Sequence, residues 1–137
     1  LGAMLAREDV AASFGPGSHA STFGGNPVSC AAGMAVMNAL LREGVLRNCV
    51  QMGKYLVRGL EALKKRFSFI REIRGKGLLV GVELTIEGGK IADACVKEGL
   101  LLNCTASKVL RFAPPLTIKK NEIDRGLAIL EAVLARQ

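Results

Sequence analysis

Between Leu46 and Phe67 the apolar residues keep helical time: Leu46, Cys49, Val50, Gly53, Leu56, Val57, Leu60, Leu63 and Phe67 fall on one stripe of a single helix. Such a stripe is stable only when it is packed against another layer. The residues that follow can supply the layer. Phe69 to Arg74 alternates as a strand does, Gly75-Lys76-Gly77 reads as a turn, and Leu78 to Leu84 is rich in β-formers. A hairpin beneath the helix is the economical reading.

The remaining elements extend that plan. Asn26 is a good helix cap and Pro27 a good first helical residue, so a helix is expected over 27–43. Its apolar residues lie all around, which predicts burial on more than one side, as where two domains or two subunits meet. After a turn at Gly88-Gly89, residues 90–98 carry a weak helical pattern. Leu100-Leu101-Leu102 with Cys104 reads as a buried strand, and Val109 to Phe112 as another. Pro114 and Pro115 forbid both helix and central strand, so the chain must leave the sheet there. Asn121 can cap a last helix in which Ile123, Leu127, Leu130 and Leu134 share a face. The order helix, helix, strand, strand, helix, strand, strand, helix predicts an α/β (α+β) fold, with three or four mainly antiparallel strands and helices packed on one face.

Composition narrows the function classes. With 137 residues there is room for one ordinary domain. The longest apolar stretch, 28–41, is interrupted by Ser29 and Asn38 and falls short of the roughly 20 residues of a membrane span, so no membrane role is expected. The four cysteines, at 30, 49, 95 and 104, show no C-x-x-C spacing, and there is a single histidine. No metal site is expected, and the cysteines read as reduced apolar residues of a cytoplasmic protein. The net charge of +7 could serve an anionic partner. However, Lys64-Lys65-Arg66 ends a helix and Arg71, Arg74 and Lys76 follow along a strand with only Phe67 and Phe69 nearby. That is a solvated face rather than a nucleic-acid platform.

Two islands carry chemistry. Gly17-Ser18-His19-Ala20-Ser21-Thr22-Phe23-Gly24-Gly25-Asn26-Pro27 has hydroxyls, paired glycines and a helix start, the ingredients of an anion cradle. On spacing alone a turn that caps the helix is the commoner reading, because Ser, Thr, Gly and Asn dominate ordinary turns. Val109-Leu110-Arg111-Phe112-Ala113-Pro114-Pro115-Leu116 puts one guanidinium at the end of an apolar strand, where its fork can pair with a carboxylate. A strand-end arginine in solvent or in a structural ion pair is the plainer alternative. His19 has no acidic partner in its vicinity and reads as a loop residue. Gly75-x-Gly77 supports a turn better than a nucleotide.

Together the two islands resemble binding elements of the class III pyridoxal-phosphate aminotransferases, in the acetylornithine and ornithine branch. The resemblance runs from Leu1 to Gln137 but corresponds to the C-terminal portion of a longer family sequence. It implies the small C-terminal domain of the fold-type I aminotransferases for 44–137, an interdomain helix for 26–43, and a remnant of the large cofactor-binding domain for 1–25. It also implies that Thr22, with Ser21 as second donor, binds the phosphate of pyridoxal 5'-phosphate in the neighbouring subunit's site, and that Arg111 binds the substrate α-carboxylate. Leu102-Asn103-Cys104-Thr105 looks more like the acetylornithine than the ornithine enzymes.

By the same resemblance, the longer protein is expected to be a cytoplasmic homodimer. It would move an amino group between N-acetylornithine and 2-oxoglutarate in arginine biosynthesis, with ornithine or succinyl-diaminopimelate left open as substrates. No catalytic residue is assigned here: the family's Schiff-base lysine has no counterpart in this chain. Leu1-Gly2-Ala3-Met4-Leu5-Ala6 looks like the strand after the lysine loop, which places that lysine just before position 1. The 137 residues are therefore expected to be an inactive fragment. The alternative is a non-catalytic basic α/β module for ligand binding or dimerisation.

Overall fold

The computed structural model describes residues 2–137. It separates into two units, residues 1–43 and 44–137.

The first unit holds a short helix α1 (Glu8–Ala11) and the long helix α2 (Pro27–Arg42). Helix α2 starts where the sequence predicts. The Asn26 side chain accepts from the Ser29 N–H at 2.9 Å, and Pro27 stands in the first turn, where its missing N–H costs nothing. The burial expected of α2 is one against a second domain or subunit, and within the described residues its apolar faces stay open. None of its residues is buried, and Val28, Met34 and Leu41 are 80%, 67% and 68% exposed. The segment before it has no buried apolar residue to set against the helix. Leu1, the first residue of the expected N-terminal strand, lies outside the described residues. Residues 2–6 form no strand, since no strand of this unit pairs with them among the described residues.

The second unit contains α3 (Val45–Lys64), β1 (Ile70–Lys76), β2 (Leu79–Leu84), α4 (Gly89–Lys97), β3 (Asn103–Thr105), β4 (Val109–Phe112) and α5 (Lys120–Leu134). The sheet has four strands in the order β1-β2-β4-β3, and every pairing is antiparallel. This is the mixed fold the periodicities predict. Gly53, Leu56, Leu60 and Leu63 form the buried face of α3, and they meet Val80, Val82, Leu84, Leu110 and Phe112 from the sheet and Ile123, Leu130, Val133 and Leu134 from α5. Full burial of each Leu or Ile contributes roughly 1.5–3 kcal/mol. Cys95 of α4 is fully buried in this cluster, and burial pushes its thiol pKa up. All four cysteines are free thiols.

Three boundaries differ from the sequence reading. Gly75 and Lys76 belong to β1, paired with Val80 and Leu79, and the turn is Gly77-Leu78 with Gly77 at φ +58°. Gly75 is needed for close approach inside the strand pair: a β-carbon there would lie 2.2 Å from the Leu79 carbonyl oxygen. The expected strand at Leu100-Leu101-Leu102 begins only at Asn103, because α4 ends in a Schellman motif. The Leu100 N–H reaches back to the Cys95 carbonyl at 2.8 Å, the Gly99 N–H to Val96 at 3.0 Å, and Gly99 takes φ +90°. Leu101 is left 88% exposed. Asn121 is not the cap of α5. It sits inside the first turn, while Lys119 occupies the cap position and its N–H is accepted by Glu122 Oε2 at 2.8 Å.

Among the described residues no helix is long and apolar enough to cross a membrane.

Candidate functional site

In the first unit the candidate residues lie in the turn that feeds α2. The Asn26 amide holds both ends of this junction: Nδ2 donates to the Phe23 carbonyl at 3.0 Å and to Ser29 Oγ at 2.9 Å, while Oδ1 caps the helix. The Gly24 N–H meets the Ser21 carbonyl at 3.4 Å, and the Asn26 N–H meets that of Phe23 at 3.4 Å. Ser21 and Thr22 are exposed, and among the described residues neither hydroxyl makes a hydrogen bond. The N–H groups of Thr22, Phe23 and Gly25 likewise have no backbone acceptor among the described residues.

Glycine shapes two places in this turn. A β-carbon on Gly24 would press on Ser21, at 3.0 Å from its Cβ and 3.2 Å from its Oγ, and Gly25 stands at φ +72°. No lysine or arginine occurs between Glu8 and Leu41. The turn therefore offers neutral hydrogen-bond donors at a helix start, a set suited to phosphate oxygens, and the countercharge must come from elsewhere. His19, between this turn and the Gly15–Ser18 turn, is exposed and makes no side-chain hydrogen bond among the described residues.

Arg111 lies in the second unit, on β4. Strand alternation sets its direction: Leu110 and Phe112 are buried in the core, so Arg111 emerges on the opposite face of the sheet, where it is exposed. The register defines one row across that face, with Arg74 opposite Gly81, Gly81 opposite Arg111, and Arg111 opposite Asn103. Gly81 presents no side chain beside the guanidinium.

The three strand arginines meet different fates. Arg71 pairs with Glu83 at 3.1 Å, and Arg74 pairs with both Glu83 and Glu72. The hydrogen bond from Arg74 is the main cause holding the Glu83 carboxyl below its ordinary value, helped by the charges of Arg74 and Arg71 and opposed by partial desolvation. Arg111 has no carboxylate within ion-pair distance among the described residues. Its Nε donates to Asn103 Oδ1 at 3.3 Å, which leaves the terminal nitrogens uncommitted.

After Phe112 the chain leaves the sheet at Pro114-Pro115, as the sequence demands. The exit is pinned to α3 by Asn48, whose Nδ2 donates to the carbonyls of Leu116 at 2.7 Å and Ile118 at 3.1 Å. Neither Asn48 nor Asn103 is singled out by sequence reasoning as a site residue. An asparagine in a helix gives no local sign that its partner is a loop some 70 residues away, whereas Asn103 could have been found by aligning the two strands of the β3–β4 hairpin. Among the described residues no cluster of three or more His, Cys, Asp or Glu could hold a metal.

The model of the family described as aminotransferase class-III matches residues 1–134. The acetylornithine aminotransferase of Caldanaerobacter subterraneus subsp. tengcongensis is 48% identical over 136 residues, spanning 98% of this chain and 34% of the relative. That of Aquifex aeolicus is 46% identical over 134 residues, again 98% of this chain and 34% of the relative. Among solved structures, acetylornithine aminotransferase from Elizabethkingia anophelis superimposes with a TM-score of 0.85 at 29% identity, covering 97% of this chain and 36% of that one. Ornithine delta-aminotransferase from Plasmodium falciparum gives 0.87 at 30% identity, covering 96% and 35%. The chain spans about a third of the length of the curated relatives it matches.

Proposed function

The chain belongs to the class-III aminotransferases, and from that premise we propose that it is the C-terminal part of a pyridoxal-phosphate enzyme moving an amino group between N-acetylornithine and 2-oxoglutarate, in arginine biosynthesis. The relatives named acetylornithine aminotransferase support the substrate. The observation that carries the reading is Arg111: an exposed guanidinium on the open sheet face, without a carboxylate partner among the described residues. Such a group can take a substrate carboxylate bidentately and fix the direction in which the rest of the substrate points.

In this reading Thr22 and Ser21 hold the cofactor phosphate of a neighbouring subunit's site in a cytoplasmic homodimer. Their hydroxyls and the N–H groups of the turn are the donors, and Gly24 keeps the space beside Ser21 clear. When bound, the cofactor supplies the electron sink that makes amino transfer possible. This chain's residues bind and orient, and the lysine that moves the proton lies in the large domain. Residues 1–25 then belong to that domain and 26–43 to the helix joining it to the small domain 44–137. The 137 residues alone do not turn over.

The test is kinetic. In a complete class-III enzyme carrying this segment, Arg111→Gln removes a charge-assisted contact of about 1.5–3 kcal/mol. The KM for both carboxylate substrates is expected to rise roughly ten- to a hundredfold with cofactor affinity unchanged. Unchanged KM for both substrates overturns the reading.

A further inference from the structure

Among the described residues Arg111 has a single side-chain partner, and that partner is a neutral amide. We propose that Asn103 is a positioning residue for Arg111: it fixes the guanidinium through Nε and leaves the terminal nitrogens, with their charge, free for a carboxylate. This rests on the carboxylate role of Arg111 proposed above.

The geometry makes the assignment. Asn103 and Arg111 are cross-strand partners on adjacent strands, and Arg111 Nε donates to Asn103 Oδ1 at 3.3 Å. Of the two amide atoms only the oxygen can accept from a guanidinium, so the contact fixes the orientation of the amide as well. A guanidinium has five N–H donors, and this bond uses the one on Nε, next to the stem, leaving the four on the terminal nitrogens for an end-on pairing. On the other side stands Gly81, without a side chain to compete.

The contrast with Arg74, in the same row, shows what a carboxylate neighbour does. Arg74 is held through Nη1 by both Glu72 and Glu83, so its charge is already neutralised within the fold. An acid at position 103 would do the same to Arg111, whereas an amide orients the group without neutralising it.

The pairing depends on register. A slip of one residue between β3 and β4 would turn Asn103 to the other face. The connecting turn is fixed against that slip: Ala106 and Ser107 adopt φ +47° and +59°, the Leu84 N–H donates to the Lys108 carbonyl at 2.8 Å, and the Gly88 N–H to that of Ser107 at 2.8 Å.

The proposal is tested by side-chain NMR on a complete class-III enzyme carrying this segment, following the Arg111 Nε–H signal, assigned by its loss in Arg111→Lys, through a titration with 2-oxoglutarate. Asn103 is exposed, so the backbone spectrum of each variant is expected to stay native. In Asn103→Ala the Nε–H should exchange with water faster and the 2-oxoglutarate response weaken, each roughly three- to tenfold, the loss of one ordinary hydrogen bond. In Asn103→Asp the Nε–H should stay protected while the 2-oxoglutarate response disappears, a split that a merely structural contact would not produce. Unchanged exchange and unchanged titration in Asn103→Ala overturn the proposal. Faster exchange in Asn103→Ala with no response to 2-oxoglutarate even in the unaltered enzyme shows instead that Arg111 is no carboxylate site, and the role given to Asn103 falls with it.

Discussion

A β-carbon on Gly53 would lie 2.2 Å from the carbonyl oxygen of Gly77, so helix α3 is seated directly on the β1–β2 turn with no side chain between them. Gly59, two turns further along the same helix, is also tight, but what a β-carbon would meet there at 2.2 Å is the end of the Leu127 side chain. Backbone cannot yield as a Leu methyl can. Gly53→Ala is therefore expected to destabilise the fold by about 1–3 kcal/mol through overpacking, more than cancelling the gain in helix propensity. Gly59→Ala should come out near neutral, because the propensity gain of about 1 kcal/mol offsets a shift of Leu127. Denaturant midpoints of the two variants, measured side by side, check the contrast.

Tyr55 on α3 donates its hydroxyl to Asp124 of α5, tying the two helices across the top of the core. That hydrogen bond is the main cause raising the phenol pKa, with desolvation and the negative charge of Asp124 adding to it and Arg58 opposing. A phenol whose pKa is raised by folding contributes stability that is complete below the ordinary tyrosine range and is lost as pH climbs through the folded value. Tyr55 is the only tyrosine, and there is no tryptophan, so ultraviolet titration of phenolate reads it alone. Its midpoint should lie above that of free tyrosine, and Asp124→Asn should bring it down.

Glu83 behaves in the opposite sense. Its carboxyl is held low, first by the hydrogen bond from Arg74, so its contribution is present above the ordinary carboxylate range and disappears as pH falls through the depressed folded value. Both arginines are well exposed, which keeps the effect small and sensitive to salt. The stability difference between the protein and Glu83→Gln should therefore narrow in acid and in high salt. Equal differences at neutral and acid pH would contradict the assignment.

How much of this was legible follows from which forces are local. The stripe from Leu46 and the run Val109–Phe112 before two prolines dictate their own structure: the strand is found where expected, and the helix runs over Val45–Lys64, ending one turn short of Phe67. Leu100-Leu101-Leu102 misleads because apolarity alone does not distinguish a strand from the exit of a helix. The deciding feature is Gly99, whose left-handed backbone lets Leu100 close the end of α4. Asn121 misleads in a similar way, since a cap made from inside the helix by Glu122 makes a good capping residue unnecessary. In the candidate site, Arg111 could be read from its strand and its prolines. That among the described residues it has no carboxylate partner, while Arg71 and Arg74 do, could not, because the partners of Arg71 and Arg74 are chosen by strand register. The turn at Ser21 and Thr22 shows its donors but not its ligand, and nothing local separates a phosphate cradle from a cap.

Gly24 offers a way to separate those two uses of the turn. The contacts that start α2 run through Asn26, to Phe23, Ser29 and Cys30, and none of them involves a side chain at position 24. A β-carbon on Gly24, by contrast, would crowd Ser21 at 3.0 Å from its Cβ and 3.2 Å from its Oγ, pushing the hydroxyl from its place while leaving the cap intact. If the turn only caps the helix, Gly24→Ala should be silent. If Ser21 and Thr22 hold a phosphate, the same change in a complete enzyme carrying this segment should weaken pyridoxal-phosphate binding, with Thr22→Ala weakening it further. Each lost hydrogen bond to a charged group is worth about 1.5–3 kcal/mol, so the dissociation constant measured by cofactor absorbance should rise at least tenfold for Thr22→Ala. Helicity and the thermal midpoint of the cofactor-free protein should stay unchanged in both variants, which keeps the effect on the ligand distinct from any effect on the fold.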